Sequence, residues 1–285
     1  MKCFNRNGCD GIYNSFDIHF TSACDNRCSH CVDKRYGGLS INKPNVTEIV
    51  KTVIENSKGY DDVLFLGGEP CLYLDELIEC VTEIKKYTSL KVFVTTSVPK
   101  ICYDEREKFE KLLSLLDGIN LSVQHYDENV ADAIRKSTSK FDRQEFYKSL
   151  PYKNKIRINL NIVKPHLYTS THIITNLRHY DKRGFNEIKL SEIQHGEKYF
   201  VSFEKIFRIK LGSPFFSGCQ TYLNMNKIIP LLKTPVILKR SCFICEETLR
   251  ASFMDGVKCL YRLFVKSKNK YGVVYENGEL KKSWI

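Results

Sequence analysis

Cys24, Cys28 and Cys31 fall within the short stretch "ACDNRCSHC", straight after the apolar segment "FDIHFT" at 16–21. Soft thiolate donors at close spacing select zinc or an iron–sulfur cluster. Three and then two intervening residues suit one face of a [4Fe-4S] cube, and no fourth cysteine follows nearby. A cube held by three thiolates leaves one iron open to a small-molecule ligand. The rival reading is a zinc knuckle completed by His30 or by a distant residue. A second group lies toward the C-terminus, where Cys242 and Cys245 form a CxxC and Cys259 follows after thirteen residues. That pattern points to a second metal site, with zinc as the rival metal and Cys219 of "SGCQTYL" as the candidate fourth ligand.

These groups need a scaffold, and the apolar pattern describes one. "FDIHFT" (16–21), "DVLFLGG" (62–68), "KVFVTTS" (91–97), "GINLSVQ" (118–124), "IRINLNIV" (156–163) and "NEIKLSEI" (186–193) read as strands. Helical spacing follows the first two, through Val46, Ile49, Val50, Val53 and Ile54, then through Leu74, Leu77, Ile78 and Val81. Six βα units in series predict an α/β fold with a parallel sheet and right-handed crossovers, a partial (β/α)6 barrel or a doubly wound sheet. In either, a site gathers at the carboxyl ends of strands. The cysteine loop sits at the end of the first strand, and the "GGEP" of Gly67, Gly68, Glu69 and Pro70 at the end of the second. "YGVVYENGELKK" carries Asn277-Gly278 between alternating residues and predicts a β-hairpin, assigned to a small auxiliary sheet.

The cysteine loop together with "GGEP" resembles the radical S-adenosylmethionine (SAM) superfamily over roughly residues 15–195. The resemblance implies that the partial barrel, not the doubly wound sheet, is the architecture. It implies a [4Fe-4S] cluster on Cys24, Cys28 and Cys31 whose open iron is chelated by the amino and carboxylate groups of SAM. Gly67, Gly68 and Glu69 are then expected to receive the methionine ammonium. His30 occupies a position that is commonly aromatic in the family and packs near adenine. Ser122, Gln124, Asn159 and Glu192 are further candidate cofactor contacts, with Thr95, Thr96 and Asn161 at neighbouring strand positions. A low-potential donor such as flavodoxin or ferredoxin is expected to reduce the cluster. SAM is then cleaved to a 5′-deoxyadenosyl radical that abstracts hydrogen from a substrate carbon.

Cys242, Cys245 and Cys259 resemble the auxiliary-cluster region of the SPASM/twitch branch, with the spacing of the second cluster in the molybdenum-cofactor GTP cyclase. The resemblance divides the chain into an N-terminal segment 1–14, a radical SAM partial barrel 15–195 and a SPASM/twitch-like, small C-terminal auxiliary-cluster domain 196–285. The substrate of that cyclase is not carried over, because Glu246 and Glu247 follow Cys245 where the cyclase has an arginine-bearing stretch, and the chain ends "ELKKSWI". If Cys219 binds, the second [4Fe-4S] cluster is closed and carries electrons; if not, an open iron anchors substrate.

Composition sets the outer limits. No run approaches the roughly 18 apolar residues of a membrane helix, and the N-terminus lacks an apolar signal core, so a cytoplasmic protein with no membrane partner is expected. Twelve cysteines in 285 residues fall short of a disulfide scaffold. A net charge of +11 favours an anionic partner. A nucleotide-like or other small anionic substrate is therefore expected, with radical modification of a ribosomal peptide as the alternative. A zinc-stabilised nucleic-acid-binding protein is the non-enzyme alternative, and it leaves the strand-end position of "GGEP" unexplained.

Overall fold

The computed structural model describes residues 15–31, 43–193, 197–208, 215–217, 220–224, 232–241 and 271–281. The anticipated strands are β1 (Ser15–Thr21), β2 (Asp62–Gly67), β3 (Lys91–Thr96), β4 (Gly118–Ser122), β5 (Ile156–Ile162) and β6 (Glu187–Glu192). Each is followed by helix: α1 (Val46–Asn56), α2 (Leu74–Tyr87), α3 (Lys100–Asp104) and α4 (Arg106–Leu115), α5 (Glu128–Arg135) and α6 (Arg143–Ser149), α7 (Ser170–Asp181), and α8 (Phe203–Phe207). Local chemistry sets the helix ends. The Asn45 side chain accepts from Glu48 N at 3.2 Å to start α1. α2 opens on Asp75 and Glu76 and closes on Lys85 and Lys86, each pair opposing the helix dipole.

Five further strands complete the sheet: β7 (Phe215–Ser217), β8 (Gln220–Asn224), β9 (Val236–Ser241), β10 (Tyr271–Tyr275) and β11 (Leu280–Lys281). The order is β11-β10-β1-β2-β3-β4-β5-β6-β9-β8-β7, and the run from β10 to β9 is parallel throughout. No pairing joins the two edges among the described residues, so the sheet is an open, partial barrel. Tyr271–Tyr275 and Leu280–Lys281 form the expected hairpin. It lies in the main sheet and not in a separate auxiliary one, because β10 pairs with β1 in register Ser15↔Tyr271 to His19↔Tyr275.

Strand alternation separates two faces. Phe16, Ile18, Val63, Phe65, Val92, Val94, Ile158, Leu160, Ile188 and Leu190 pack outward with Ile49, Leu77, Val81, Leu112 and Leu177 of the helices in one buried core. The inner face is mixed: Leu64, Leu66 and Phe93 form a small apolar cluster on β2 and β3. Asn120, Arg157, Asn159 and Glu187 are buried on β4 to β6. Cys80 faces the helix–sheet core from α2, and Cys71 is likewise fully buried.

Candidate active site

β1 feeds directly into the cysteine loop at the carboxyl rim. The loop turns on its own polar groups: Ala23 N donates to Thr21 Oγ1 at 3.0 Å, and Asn26 N to Cys24 Sγ at 3.4 Å. Cys31 N then donates to Cys28 O at 3.3 Å, closing a turn that carries Ser29 and His30. None of the three thiols is in a disulfide, and all three residues are partly exposed. Burial, with Glu69 nearby, pushes the Cys24 thiol up. Among the described residues no three His, Cys, Asp or Glu side chains are grouped to hold one metal ion. A cube asks for something else, since its thiolates bind separate irons at separate corners.

The end of β2 clasps this loop backbone to backbone. Gly68 N donates to Thr21 O and Glu69 N to Ala23 O, both at 2.7 Å. Gly67 has φ +123°, and a Cβ there would lie 2.6 Å from Thr21 O; one on Gly68 would lie 2.1 Å from Ala23 O. The double glycine is therefore required by the close approach of two chains, and the chain approached is the cysteine loop itself.

Glu69 is buried and fully engaged. Its carboxylate accepts from Thr96 Oγ1 at 2.5 Å, Ser97 N and Ser97 Oγ at 2.6 Å each, and Cys71 N at 3.1 Å. Burial pushes its pKa up to about 7, against the lowering by the Ser97 and Thr96 hydrogen bonds. Asn26 Nδ2 donates to Ser97 Oγ at 2.7 Å, so Ser97 links Glu69 to the cysteine loop.

A second group gathers around His30. Asn161 Nδ2 lies 3.3 Å from His30 Nε2 and donates to Gln124 Oε1 at 3.4 Å. Gln124 has φ +65°, which turns the chain out of β4. Ser122 ends β4 and pairs in register with Asn159, whose buried Oδ1 has no partner. Glu192 does not join them. It ends β6 on the outward face shared by Ile188 and Leu190, and its Oε1 accepts from Phe203 N at 2.7 Å, fixing the start of α8.

Cys219, Cys242, Cys245 and Cys259 lie outside the described residues. Ser97, Asn26 and the arginines Arg135 and Arg143 contribute to the site without a sequence motif of their own. For Ser97 the available signal was its position directly after the third strand.

The fold is similar to that of solved structures. Streptococcus suis SuiB bound to precursor peptide SuiA superposes with TM-score 0.61 at 14% identity, covering 95% of this chain and 60% of that one. SuiB bound to S-adenosylmethionine gives 0.52 at 16% identity with the same coverage, and anSMEcpe with bound AdoMet gives 0.48 at 19%, covering 62% of this chain and 50% of that one. The chain thus spans about 60% of the length of SuiB. No curated protein matches the sequence. No described helix is long and apolar enough to cross a membrane. Residues 18–187 match the family model described as the Radical SAM superfamily. With its cysteine loop at the rim of a partial barrel, the chain belongs to the radical SAM superfamily.

Proposed function

We propose that Cys24, Cys28 and Cys31 hold the catalytic cluster, that a second cluster sits beside the same rim, and that the substrate is a peptide. The observation that carries the first assignment is the clasp of Gly68 and Glu69 on the backbone of Thr21 and Ala23. It fixes the loop that offers three soft donors, and such donors fit a cluster with one open iron. When bound, the cluster and SAM together supply the 5′-deoxyadenosyl radical.

The chain's own residues do the rest. Glu69, Ser97 and Asn26 tie the loop to the ends of β2 and β3. His30, Gln124, Ser122 and Asn159 offer the flat and polar surfaces that adenosine and the methionine carboxylate need. The apolar patch of Leu64, Leu66 and Phe93 keeps part of the lumen dry, which protects a reactive radical from solvent.

Two described residues support the second cluster. β9 is parallel to β6, so its carboxyl end lies on the rim of the cysteine loop. Gln220, directly after Cys219, pairs with Ser241, directly before Cys242. That register favours Cys219 and Cys242 as ligands of one cluster with Cys245 and Cys259, which makes it closed and suited to electron transfer in the SPASM/twitch manner. Reduction by a low-potential donor such as flavodoxin or ferredoxin belongs to the same reading.

The peptide is favoured over the small anionic substrate by charge. On the inner face Arg157 Nε lies 2.5 Å from Glu187 Oε1, His19 Nδ1 lies 3.1 Å from Glu276 Oε2, and Lys189 also acts on Glu187. Asp17 adds a further acid. Among the described side chains the inner face thus carries little surplus positive charge for a phosphate. Likeness to SuiB bound to precursor peptide SuiA extends over 95% of the chain.

Anaerobic reconstitution tests the proposal. About eight irons are expected, falling to about four in Cys242→Ala/Cys245→Ala/Cys259→Ala. Dithionite and SAM should then give 5′-deoxyadenosine. A colourless, zinc-loaded protein that leaves SAM intact overturns the catalytic assignment, and four irons in the parent protein overturn the second cluster.

A further inference from the structure

Arg135, at the end of α5, and Arg143, at the start of α6, are fully buried behind the cysteine loop. They share two carboxylates. Arg135 Nη2 pairs with Glu128 Oε1 and, at 2.9 Å, with Asp132 Oδ1. Arg143 Nη1 lies 3.1 Å from the same Glu128 oxygen and 3.5 Å from the same Asp132 oxygen.

The backbone around these side chains is what holds the loop. Arg135 O accepts from Arg27 N at 2.8 Å and lies 3.6 Å from Cys28 Sγ. Lys136 turns the chain with φ +51°, and Thr138 returns to give Asp25 O both its N–H at 3.0 Å and its hydroxyl at 3.1 Å. Arg143 secures that return by donating to Ser137 Oγ at 3.3 Å and Ser139 O at 3.2 Å. Its Nε donates to Val98 O at 3.1 Å, next to the Ser97 that anchors Glu69. One guanidinium therefore touches both strands of support for the loop.

Stability alone does not explain the choice of residues. Apolar side chains of similar volume often replace a buried ion group without loss. The two guanidinium groups are fully buried and the carboxylates of Glu128 and Asp132 are 17% and 18% exposed, so their charges are only partly screened and act on any neighbour whose charge changes. A cube held by three thiolates is anionic, and reduction adds one more negative charge.

We infer that Arg135, Arg143, Glu128 and Asp132 form a positioning unit for the cluster on Cys24, Cys28 and Cys31, bracing its loop and setting its reduction potential through their charge balance. The inference rests on those cysteines being the ligands. The redox step moves one electron from an external low-potential donor to the cluster, and no bond in the unit forms or breaks.

The test is a redox titration of reconstituted, full-length holoprotein by electron paramagnetic resonance. The signal followed is the one that SAM perturbs, which marks the cluster with an open iron. Arg143→Gln removes a positive charge and should lower the potential; Glu128→Gln removes a negative charge and should raise it. The double variant should return toward the parent value. Iron content and apoprotein melting are measured in parallel, because Arg143→Gln also removes the brace and is expected to retain less iron. Arg143→Lys keeps the charge without the fork, so iron should fall while the potential of the loaded fraction stays near the parent's. Shifts of the two single variants in the same direction, or none, overturn the potential-setting role even if the variants melt early. If Cys28→Ala keeps the SAM-sensitive signal, the ligand assignment fails instead.

Discussion

At the scale of residues, the clasp between Gly68 and Ala23 is the most demanding contact in the site. A methyl at Gly68 would sit 2.1 Å from Ala23 O, and the neighbour is backbone, which cannot swing aside. Gly68→Ala is therefore expected to cost on the order of 2–4 kcal/mol and to reduce iron retention after anaerobic reconstitution. Gly184 provides the control. It has φ +74°, but a methyl there would meet nothing within 4 Å, so Gly184→Ala should cost only about 1 kcal/mol and leave iron content unchanged. Equal iron loss in both variants would show that the effect is general destabilisation. The "GGEP" signal was legible because double glycine after a strand is a chemical constraint visible in one dimension. Its target was not, since Gly68 and Ala23 lie far apart along the chain and sequence pattern does not fold the stretch between them.

Among the elements, α5 matters beyond its length because its last carbonyl holds the cysteine loop. Its first turn depends on Asp127, whose Oδ1 accepts from Asn129 N at 2.9 Å and Val130 N at 3.5 Å. Asp127→Ala should cost about 1 kcal/mol, measured by chemical denaturation of the apoprotein. The variant should also lose iron faster to a chelator than Asp142→Ala, which removes the equivalent cap of α6, bonded to Gln144 N at 2.9 Å. β2 and β3 were readable as continuous apolar runs, and β1, β4, β5 and β6 by their alternation of apolar and polar residues. The pairing of β10 with β1 was not, because nothing local in "YGVVY" names its partner. The place of Glu192 was likewise hidden: its position at a strand end is clear in sequence, but the side of the sheet it faces depends on register. No sequence motif marks Arg135 and Arg143 as buried; Asp132 and Arg135 are an i,i+3 pair on α5, whereas only the fold brings Arg143 to Glu128 and Asp132.

For the whole molecule, two physical effects combine as the pH falls. The chain already carries +11, so protonating its acids adds self-repulsion, and salt screens that effect. A second effect is local. His179 is held by burial at a pKa of about 4, with Arg183, His125 and Lys182 adding to the lowering. Its ring packs 5.2 Å from that of Tyr126 and 5.0 Å from that of Tyr180, and its Nε2 is buried without a partner. Between the ordinary histidine value near 6.5 and about 4, the unfolded chain binds a proton that the folded chain refuses. The contribution of His179 to stability must therefore fall as pH drops through that window. Discounted for the partial exposure of the ring, the loss between pH 7 and 5 should be about 1 kcal/mol. His179→Gln should remove this component, because glutamine does not titrate. Denaturation midpoints at pH 7 and 5, each at low and high salt, separate the effects: salt should recover the repulsive part in both proteins, and of the salt-resistant change, to which Glu69 with its pKa of about 7 adds a stabilising part common to both, the parent should lose about 1 kcal/mol more than the variant. An identical salt-resistant loss in both would assign acid sensitivity to buried groups other than His179.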